Sequence, residues 1–378
     1  MSFFNPPPKP STPLAYHRIL SQTASVKVSP ICLGGISIGS GWNELFGKNE
    51  EPFKLLDEYY SLGGNFIDTS SIYNFEQSER LIGYKGYSRK ELPLQSNYTG
   101  NSAKSMHISV RDSLKKLRTD YIDILYVHWW DFGTSVEEVM TRLNTYVASK
   151  QVLYLGVSDT PAWIVVKANE FARRNGLVTF SVYQGRWKAA CRDMEAEIIP
   201  MCEDQGMAIA PWASLGGGAL LTAEQRKKNE QDPDARKVKT PSEADVKVCE
   251  VLEGMAKSKN TTLQAIALAY LFHQSAYVFP IVGVQTVEHV HALPDALRVK
   301  LSKEDVTAIH AAKPFDPLFP MNFLFNYRQD QPYTLDLTAA NNEQYQMGAW
   351  IDAPPKQPVS QSPKGNMTMT VTPFWELD

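Results

Sequence analysis

The chain has 378 residues, of which 43% are hydrophobic and 21% are charged, and its formal net charge is −3. This composition is typical of a folded globular protein and excludes a disordered chain. The slight acidity argues against nucleic acid or an anionic membrane surface as the main partner.

The N-terminal sequence shows no targeting segment. MSFFNPPPKPSTP lacks a basic stretch followed by an apolar run, and no apolar run in the chain approaches the length of a membrane span. We therefore expect an intracellular, cytoplasmic protein without a membrane partner. The four cysteines have neither disulfide nor metal-ligand spacing, so we expect reduced thiols and no metal site.

The first predicted elements are short. Residues 1–14 are rich in proline and are predicted to form a flexible, unpacked lead-in. Residues 16–20 and 26–28 are apolar stretches on either side of a polar turn, and they are predicted to pair as a hairpin.

From residue 31 onward, short apolar runs alternate with amphipathic stretches. Strands are predicted at residues 31–35, 65–68, 92–97, 122–128, 152–158, 180–184, 208–212 and 278–283. Helices are predicted at residues 51–62, 76–82, 103–117, 136–149, 161–175, 193–205 and 243–275. This alternation indicates parallel βαβ units that close into an α/β barrel of the (β/α)8 TIM type. A doubly wound open sheet is the rival, but no GxGxxG follows the first strand.

Two segments fall outside this alternation. Residues 222–245 are highly charged and are predicted to form a solvated, mobile loop after the seventh strand. Residues 314–378 are rich in Pro, Asn, Gln and aromatic residues, and they are predicted to form a long irregular C-terminal extension. Such an extension either closes a ligand in at the barrel mouth or is a solvated tail. The predicted domains are therefore the lead-in, a barrel over residues 15–315 and an extension over residues 316–378.

Four polar residues fall at predicted strand ends or in the loops that follow. Asp68 ends the second strand, Tyr73 follows in its loop, Asn97 ends the third strand and His128 ends the fourth. Barrel enzymes do their chemistry at this face, and an acid, a phenol and an imidazole there suit general acid–base catalysis on a carbonyl. Taken singly, such an Asp is more often a helix cap and such a His more often a structural residue.

Several ordered motifs resemble one family. GGNFIDTSSIYNFEQSERLIG, YIDILYVHWWD, VLYLGVSDTPAW and VYQGRWKAACRDMEAEIIPMC are similar to segments of the aldo-keto reductases. The resemblance covers about residues 16 to 315 and is closest to fungal aryl-alcohol dehydrogenase and norsolorinic acid reductase-like members. It implies that Tyr73 donates a proton to the carbonyl oxygen while NADPH delivers hydride, that His128 holds the carbonyl, and that Asp68 lies behind the phenol.

The chain departs from the family pattern at the third strand. Family members have a lysine there whose ammonium contacts the phenol, whereas RKELPLQSNYTG places Asn97 at that position. The nearest lysines, Lys90 and Lys104, are too distant in sequence for a small register shift to restore the charge. Asn carries no charge, so its presence would cost roughly 1.4–4 kcal/mol of phenolate stabilisation, which slows catalysis without abolishing it.

The resemblance also implies how the cofactor NADP(H) is held. Ser158, Asp159 and Gln184 would meet the nicotinamide amide, and Trp212 would stack on its ring. In PWASLGGGALL, the backbone of residues 214–218 would wrap the pyrophosphate, with the glycines allowing close approach. The residues of this last segment that we assign to the cofactor are Ser214, Leu215 and Gly217. The alternative is a flexible turn without a ligand.

The segment IVGVQTVEHVHALPDAL resembles the eighth strand and the adenosine end of the cofactor site. Gly283, Glu288 and His289 match the family, but Gln285 and Pro294 stand where an Arg and an Asn usually meet the 2′-phosphate and the adenine. Gln lacks the charge of a bidentate phosphate partner, which weakens the NADP(H) signature. The cations that could compensate lie in the charged segment and are Lys227, Lys228 and Arg236.

Four tryptophans lie next to predicted strand ends: Trp42, Trp129, Trp130 and Trp187. Clustered aromatic residues usually belong to the core, but strand-end placement makes these candidates for the walls of a substrate pocket. Residues 315–327 add further rings. The predicted ligand is a small aromatic or polyketide-type molecule.

Two classes of function remain open from the sequence. The first is an NADP(H)-dependent oxidoreductase that interconverts a carbonyl and an alcohol, in fungal secondary metabolism. The second is a barrel that has lost redox chemistry, either a dehydratase, cyclase or isomerase using Tyr73 and His128, or a cofactor-free binding protein. Departures at Asn97, Gln285 and Pro294 all concern catalysis or the cofactor and favour keeping this alternative. A purely interacting subunit is disfavoured by the composition, and the sequence does not determine the oligomeric state.

Overall fold

The computed structural model describes residues 8–83, 99–232, 241–325, 333–335 and 337–349. The strands in these segments are β1 (Arg18–Ser21), β2 (Ala24–Val28), β3 (Cys32–Gly34), β4 (Ile67–Asp68), β5 (Ile122–His128), β6 (Val152–Ser158), β7 (Phe180–Arg186), β8 (Ala208–Trp212) and β9 (Ile281–Val282). The helices of the first half are α1 (Asn43–Phe46), α2 (Pro52–Ser61), α3 (Gln77–Gly83), α4 (Ala103–Leu117), α5 (Val136–Ala148) and α6 (Ala162–Arg174). Those of the second half are α7 (Ile198–Gln205), α8 (Ala223–Gln231), α9 (Glu243–Ser258), α10 (Leu263–Phe272), α11 (Val287–Ala292), α12 (Lys303–Ala312), α13 (Met321–Phe325) and α14 (Glu343–Gly348).

The parallel strands follow one another around a barrel, as predicted. β5, β6, β7 and β8 pair in chain order, and β3 pairs with both β4 and β9. A parallel bridge between Ile209 and Val278 connects β8 to the chain just before β9. The architecture is the (β/α)8 barrel, in which the predicted third strand at residues 92–97 lies outside the described residues.

The N-terminal hairpin is confirmed. β1 and β2 pair antiparallel with Arg18 opposite Val28. Leu20 and Val28 are buried in one apolar cluster with Phe66 and Ala208, which lie at or just before the starts of their strands. The hairpin therefore closes the amino-terminal end of the barrel, and the opposite end is left for ligands.

The strand register places polar residues at one level of the barrel. His128 lies opposite Ser158, and Ser158 lies opposite Gln184. On the other side, Asp68 lies opposite Gly34. These residues stand at or near the carboxyl ends of their strands, so the register itself brings them to the barrel mouth.

The helices cover the barrel with amphipathic faces. In α4, Met106, Val110 and Leu114 are buried at helical spacing, and the Ser102 side chain caps the helix by accepting from the Ser105 N–H. The single helix predicted at residues 243–275 is divided into α9 and α10. The division falls where Asn260 adopts a left-handed φ of +51°, shortly before Thr262 caps α10.

The charged segment after β8 differs from the prediction. The sequence predicts a loop over residues 222–245, whereas the structure has α8 at Ala223–Gln231. Thr222 and Gln225 form a reciprocal capping box at its start, and the helix consists mainly of good helix-forming residues. None of its residues is buried, so propensity and capping form this helix without an apolar face.

Residues beyond the predicted boundary at 315 belong to the same compact unit, which extends to Leu335. The buried Arg192 guanidinium donates to the backbone oxygen of Tyr333 at 3.0 Å and lies 5.4 Å from the ring centroid of Phe315. Glu195 accepts from Arg192 at 2.6 Å. A second unit comprises residues 336–378, whose described part holds a 3-10 helix at Ala339–Asn341 and α14. No helix among the described residues is long and apolar enough to cross a membrane.

Candidate active site

The carboxyl end of β4 contributes an acid to the barrel mouth. Asp68 is the last residue of this strand, and its Oδ1 atom accepts a hydrogen bond from Gln184 Nε2 at 3.0 Å. Burial raises the pKa of Asp68 to about 6, against the opposing effects of the Gln184 hydrogen bond and the nearby His128. The carboxyl group therefore changes its charge close to neutral pH.

Tyr73 lies in the loop between β4 and α3, which is held by its neighbours. The next three residues, Asn74, Phe75 and Glu76, all have left-handed φ angles. The buried Asn74 side chain donates to the backbone oxygen of Ile36 at 2.9 Å and accepts from the Trp42 N–H at 2.9 Å. These bonds tie the Tyr73 loop to the loop that follows β3.

A buried ion-pair cluster supports the same loop from α3 and α4. Lys116 Nζ lies 2.7 Å from Glu79 Oε2 and 3.3 Å from Glu76 Oε1, and Arg80 pairs with Glu76 at 2.7 Å. Lys116 also donates to the backbone oxygen of Ser71 at 3.4 Å. Opposite charges therefore pair within the cluster and fix the loop that carries Tyr73.

The phenol of Tyr73 is held in its neutral form. Burial and the negative charges of Asp68 and Asp159 raise the pKa of Tyr73 well above its usual value. A phenol in this environment retains its proton at neutral pH and can act as a proton donor. Asn97, the residue at the predicted lysine position, lies outside the described residues.

His128 ends β5 and is paired with a carboxylate. Its Nε2 atom lies 3.3 Å from Asp159 Oδ2, and Asp159 Oδ1 accepts from the Trp212 indole N–H at 2.9 Å. Asp159 has a left-handed φ of +47°, and its N–H donates to the Gln184 backbone oxygen at 3.1 Å. One carboxylate thus orients both the imidazole and the indole predicted to contact the cofactor.

A single cavity brings the predicted groups together. Asp68, Tyr73 and His128 line it together with Ser158, Asp159 and Gln184. It also contacts other residues that the sequence assigned to the cofactor: Trp212, Ser214, Leu215, Gly217, Gly283, Gln285 and His289.

Two features of this cavity fit a dinucleotide. Ser158 is buried, and its Oγ atom has no hydrogen-bond partner among the residues that the structure describes. A buried hydroxyl group of this kind fits a ligand amide. In the loop after β8, Gly217 has a φ of +66° and open space where a Cβ would lie, while the Ser214 hydroxyl donates to the Pro211 backbone oxygen at 2.8 Å. A backbone with this conformation can approach a phosphate closely.

Gln285, which follows β9 at the position predicted to contact the 2′-phosphate, is bonded to other parts of the protein. The Gln285 amide donates to the backbone oxygens of Phe46 and Lys48 at 3.0 Å and 3.3 Å. The Gln285 backbone oxygen also accepts from the Glu50 N–H at 2.8 Å. Gln285 therefore anchors the turn after α1, and Lys48 of that turn lines the same cavity.

The other residues assigned to this region are distributed differently. His289 Nδ1 accepts from the Gln285 N–H at 3.3 Å, and burial lowers the pKa of His289. Glu288 lies in the first turn of α11, where the helix start and Thr286 lower the pKa of its carboxyl group. Pro294 is buried in the 3-10 helix Leu293–Leu297. Among the proposed compensating cations, Lys228 lines the cavity, and Lys227 is exposed on the same helix but is not one of the lining residues. Arg236 lies outside the described residues.

The four tryptophans separate into two groups. Trp129 lines the cavity with 66% of its surface exposed, and its ring centroid is 4.7 Å from that of His128. Trp42 lies edge-on to Tyr73 at 5.9 Å. The structure places the other two in the core instead: Trp130 is 7% exposed and Trp187 is fully buried.

The physical reason is visible at Trp187. Its indole N–H donates to Glu195 Oε1 at 3.0 Å, so its polar atom is satisfied inside the protein. Trp187 and Trp130 therefore do not form pocket walls, contrary to the sequence-based expectation. Sequence reasoning also missed Asn74 and Lys48, whose roles depend on contacts between distant segments. The only sequence feature that points to a role for Asn74 is its position next to Tyr73.

Comparison with known proteins agrees with this geometry. The family profile described as aldo/keto reductase family matches residues 30–314. A norsolorinic acid reductase of Aspergillus flavus is 46% identical over 371 residues, which cover 93% of this chain and 94% of the relative. A norsolorinic acid reductase B of Dothistroma septosporum is 48% identical over 330 residues, covering 82% and 84%. An aryl-alcohol dehydrogenase [NADP(+)] of Phanerodontia chrysosporium is 44% identical over 353 residues, covering 85% and 91%.

Proposed function

Because the chain belongs to the aldo/keto reductase family, we propose that it is an NADP(H)-dependent oxidoreductase that interconverts an aromatic or polyketide-type carbonyl and the corresponding alcohol. We place this activity in fungal secondary metabolism, in keeping with the names of the similar reductases. The observation that carries the proposal is the convergence of Asp68, Tyr73 and His128 on one cavity. The same cavity contains the Ser158 hydroxyl group, which has no hydrogen-bond partner within the described part of the chain.

The residues around the cavity fit a nicotinamide dinucleotide. When bound, this cofactor supplies or accepts the hydride. Ser158 Oγ would hydrogen-bond the carboxamide, Trp212 would pack against the ring, and the backbone near Gly217 would hold the pyrophosphate. Asp159 and Gln184 complete the carboxamide contact in this proposal.

Tyr73 and His128 handle the proton and the carbonyl oxygen. In the direction of reduction, the phenolic O–H of Tyr73 donates to the oxygen as negative charge develops there. Its raised pKa keeps the phenol protonated before that step but also makes it a weaker acid than a phenol beside a lysine would be. His128 would orient that oxygen through Nε2, the atom that now lies beside Asp159. Removal of a proton from an alcohol needs the phenolate, so this environment favours carbonyl reduction over alcohol oxidation at neutral pH.

The preference for NADP(H) is proposed to rest on Lys48 and Lys228. Gln285 occupies the position of the family arginine, and its amide is already bonded to the backbone oxygens of Phe46 and Lys48. Lys48 and Lys228 are among the residues that line the cavity. An ammonium group at either position would meet the 2′-phosphate as a point charge. In this proposal the positive charge comes from the turn after α1 and from α8, and not from the segment after β9 where the family has its arginine.

Nucleotide binding and turnover test the proposal directly. NADPH titrated into the intact protein should quench its tryptophan emission at micromolar concentration, and the protein should consume NADPH with aryl aldehydes. Tyr73→Phe should retain NADPH binding and reduce kcat by about 100-fold to 10,000-fold, as expected for loss of a general acid. Absence of nucleotide binding at millimolar concentration in folded protein would reject the proposal in favour of the non-redox alternative.

A further inference from the structure

The loop that follows β5 has a costly backbone conformation. Trp129 has a φ of +63° and Phe132 a φ of +54°, in the left-handed region that large side chains rarely adopt. Such residues persist only where their surroundings fix them, and they concentrate at functional sites. The structure shows what fixes this loop.

Asn101 and Asp131 bind each other reciprocally. The Asn101 N–H donates to Asp131 Oδ2 at 2.7 Å, and the Asp131 N–H donates to Asn101 Oδ1 at 2.8 Å. The remaining amide atom, Asn101 Nδ2, donates to the Trp129 backbone oxygen at 3.1 Å. We call this pair the Asn101–Asp131 clasp. It connects the chain before α4 to the loop that carries Trp129.

The rest of the loop is arranged around the same carboxylate. Asp131 Oδ1 accepts from the N–H groups of Gly133 and Thr134 at 2.9 Å and 2.8 Å, and Oδ2 accepts from the Thr134 hydroxyl at 2.8 Å. Gly100 has a φ of +83°, and a Cβ added there would lie 2.7 Å from Asp131 Oδ2. The clasp therefore requires both a carboxylate at 131 and a glycine at 100.

The constrained loop places two consecutive indoles in different surroundings. Trp130 is 7% exposed and belongs to the core, whereas Trp129 is 66% exposed and lines the cavity. Its ring lies beside His128 with 4.7 Å between centroids. The loop therefore leaves the Trp129 indole beside the imidazole to which the proposed function assigns the carbonyl oxygen.

We propose that Asn101 and Asp131 are positioning residues that act through Trp129. The clasp fixes the indole as a wall that packs against a flat aromatic carbonyl substrate, and it selects such substrates over aliphatic ones. This inference rests on the proposed function for the identity of the reacting group. The preference comes from ring–ring packing, which is worth about twofold to tenfold in binding beyond the buried area.

The test compares 2-naphthaldehyde with hexanal in the full-length protein. Asn101→Ala and Trp129→Ala should each lower the ratio of kcat/KM for naphthaldehyde to that for hexanal by about twofold to tenfold. The double variant should show no further decrease, because the clasp acts only through Trp129. Trp163→Ala is the matched control: this indole on α6 is 61% exposed, and its loss should leave the ratio unchanged.

Two further measurements keep the outcomes distinct. The dissociation constants of both aldehydes, measured by calorimetry with NADP+ present, should show the same change in ratio independently of turnover. Gly100→Ala should lower the ratio through its contact with Asp131 even if Asn101→Ala fails to fold. Equal losses with both aldehydes, or an additive loss in the double variant, would overturn the role of the clasp. A wild-type protein that binds both aldehydes but reduces neither would instead contradict the proposed function.

Discussion

Gln184 donates a hydrogen bond from Nε2 to Asp68 Oδ1 at 3.0 Å, and this bond joins β7 to β4 across the barrel. The two strands belong to different parts of the sheet, so the contact is made through the barrel mouth rather than between paired strands. It holds an acid whose pKa is raised to about 6 by burial. Stability and charge at this point therefore depend on pH in a predictable direction.

Asp68→Asn should stabilise the protein above neutral pH and have little effect in acid. Folding raises the pKa of Asp68 from 3.8 to about 6. Below pH 4 the carboxyl group is protonated in both states and does not disfavour folding. As the pH rises through 6, the buried group must ionise in the folded state, and the free energy of unfolding falls. At pH 8 we expect the variant to gain about 1–2 kcal/mol, a value reduced for partial exposure.

Denaturant unfolding of both proteins at pH 4.5 and pH 8 measures this difference. Asn175→Ala, which removes an exposed side chain without a titrating group, should give the same difference from wild type at both pH values. A constant effect of Asp68→Asn across the two pH values would contradict the raised pKa.

Ser158→Ala should separate cofactor binding from stability. The buried Oγ atom has no partner among the described residues, so its removal should leave the free energy of unfolding unchanged or higher. The same change should raise the Kd for NADPH about fivefold, because one hydrogen bond to the carboxamide is lost.

Ser29→Ala is the matched control for that experiment. Ser29, just before β3, is also buried, but its hydroxyl donates to the Ile31 backbone oxygen at 3.2 Å. Its removal should lower stability by about 1 kcal/mol. Chemical denaturation and NADPH fluorescence titration give both quantities. A destabilised Ser158→Ala variant with unchanged NADPH affinity would reverse our assignment.

Lys48→Met should weaken NADPH binding about tenfold and leave NADH binding nearly unchanged. The reason is that only NADPH carries the 2′-phosphate that the ammonium would meet. Lys228→Met should have the same sign. Lys227→Met, which removes an exposed charge from the same helix as Lys228, is the control. Parallel titrations at two salt concentrations check the result, since a true charge contact weakens with salt. Equal losses for NADPH and NADH would place Lys48 elsewhere on the cofactor.

Asn97→Lys should raise reductase activity, and it should raise alcohol oxidation more. An ammonium beside Tyr73 would lower the pKa of the phenol and stabilise the phenolate that oxidation needs, with a gain of about tenfold or more. This prediction rests on the sequence position, since residue 97 lies outside the described residues. Steady-state kinetics in both directions, with Asn97→Gln as the neutral control, measures it. A lysine variant as slow as wild type would point to a limit in cofactor binding instead.

The sequence predicted much of the fold because local patterns determine it. β5, β6, β8 and α4 have the predicted bounds. The reason is that the pattern of apolar and polar residues along a short stretch of chain distinguishes a strand from a helix. The convergence of Asp68, Tyr73 and His128 followed from a topological rule rather than from any contact, since strand ends of a parallel barrel meet at one face.

Predictions from the local sequence pattern were wrong where helix capping formed a helix, or where burial within the protein decided the position of a side chain. α8 lacks an apolar face, and its charges suggested a loop, yet capping by Thr222 and helix-forming residues were enough. Trp187 and Trp129 looked equivalent in sequence, but one is buried against Glu195 and the other is exposed beside His128. Depth depends on the elements packed around a residue, which the residue's own neighbours do not encode.

The sequence by itself determined the barrel, its hairpin and the residue types gathered at its mouth, because periodicity and strand order are properties of the chain. Only the tertiary structure decided what those residues contact. In the folded protein the Gln285 amide donates to the Lys48 backbone oxygen, and Asn101 is hydrogen-bonded to Asp131 in the loop that carries Trp129. Ser158 Oγ is left without a partner among the described residues. The two contacts depend on segments far apart in sequence meeting at hydrogen-bond distance, and whether the Ser158 hydroxyl has a partner depends on which groups pack around it. Only the folded chain fixes either of these.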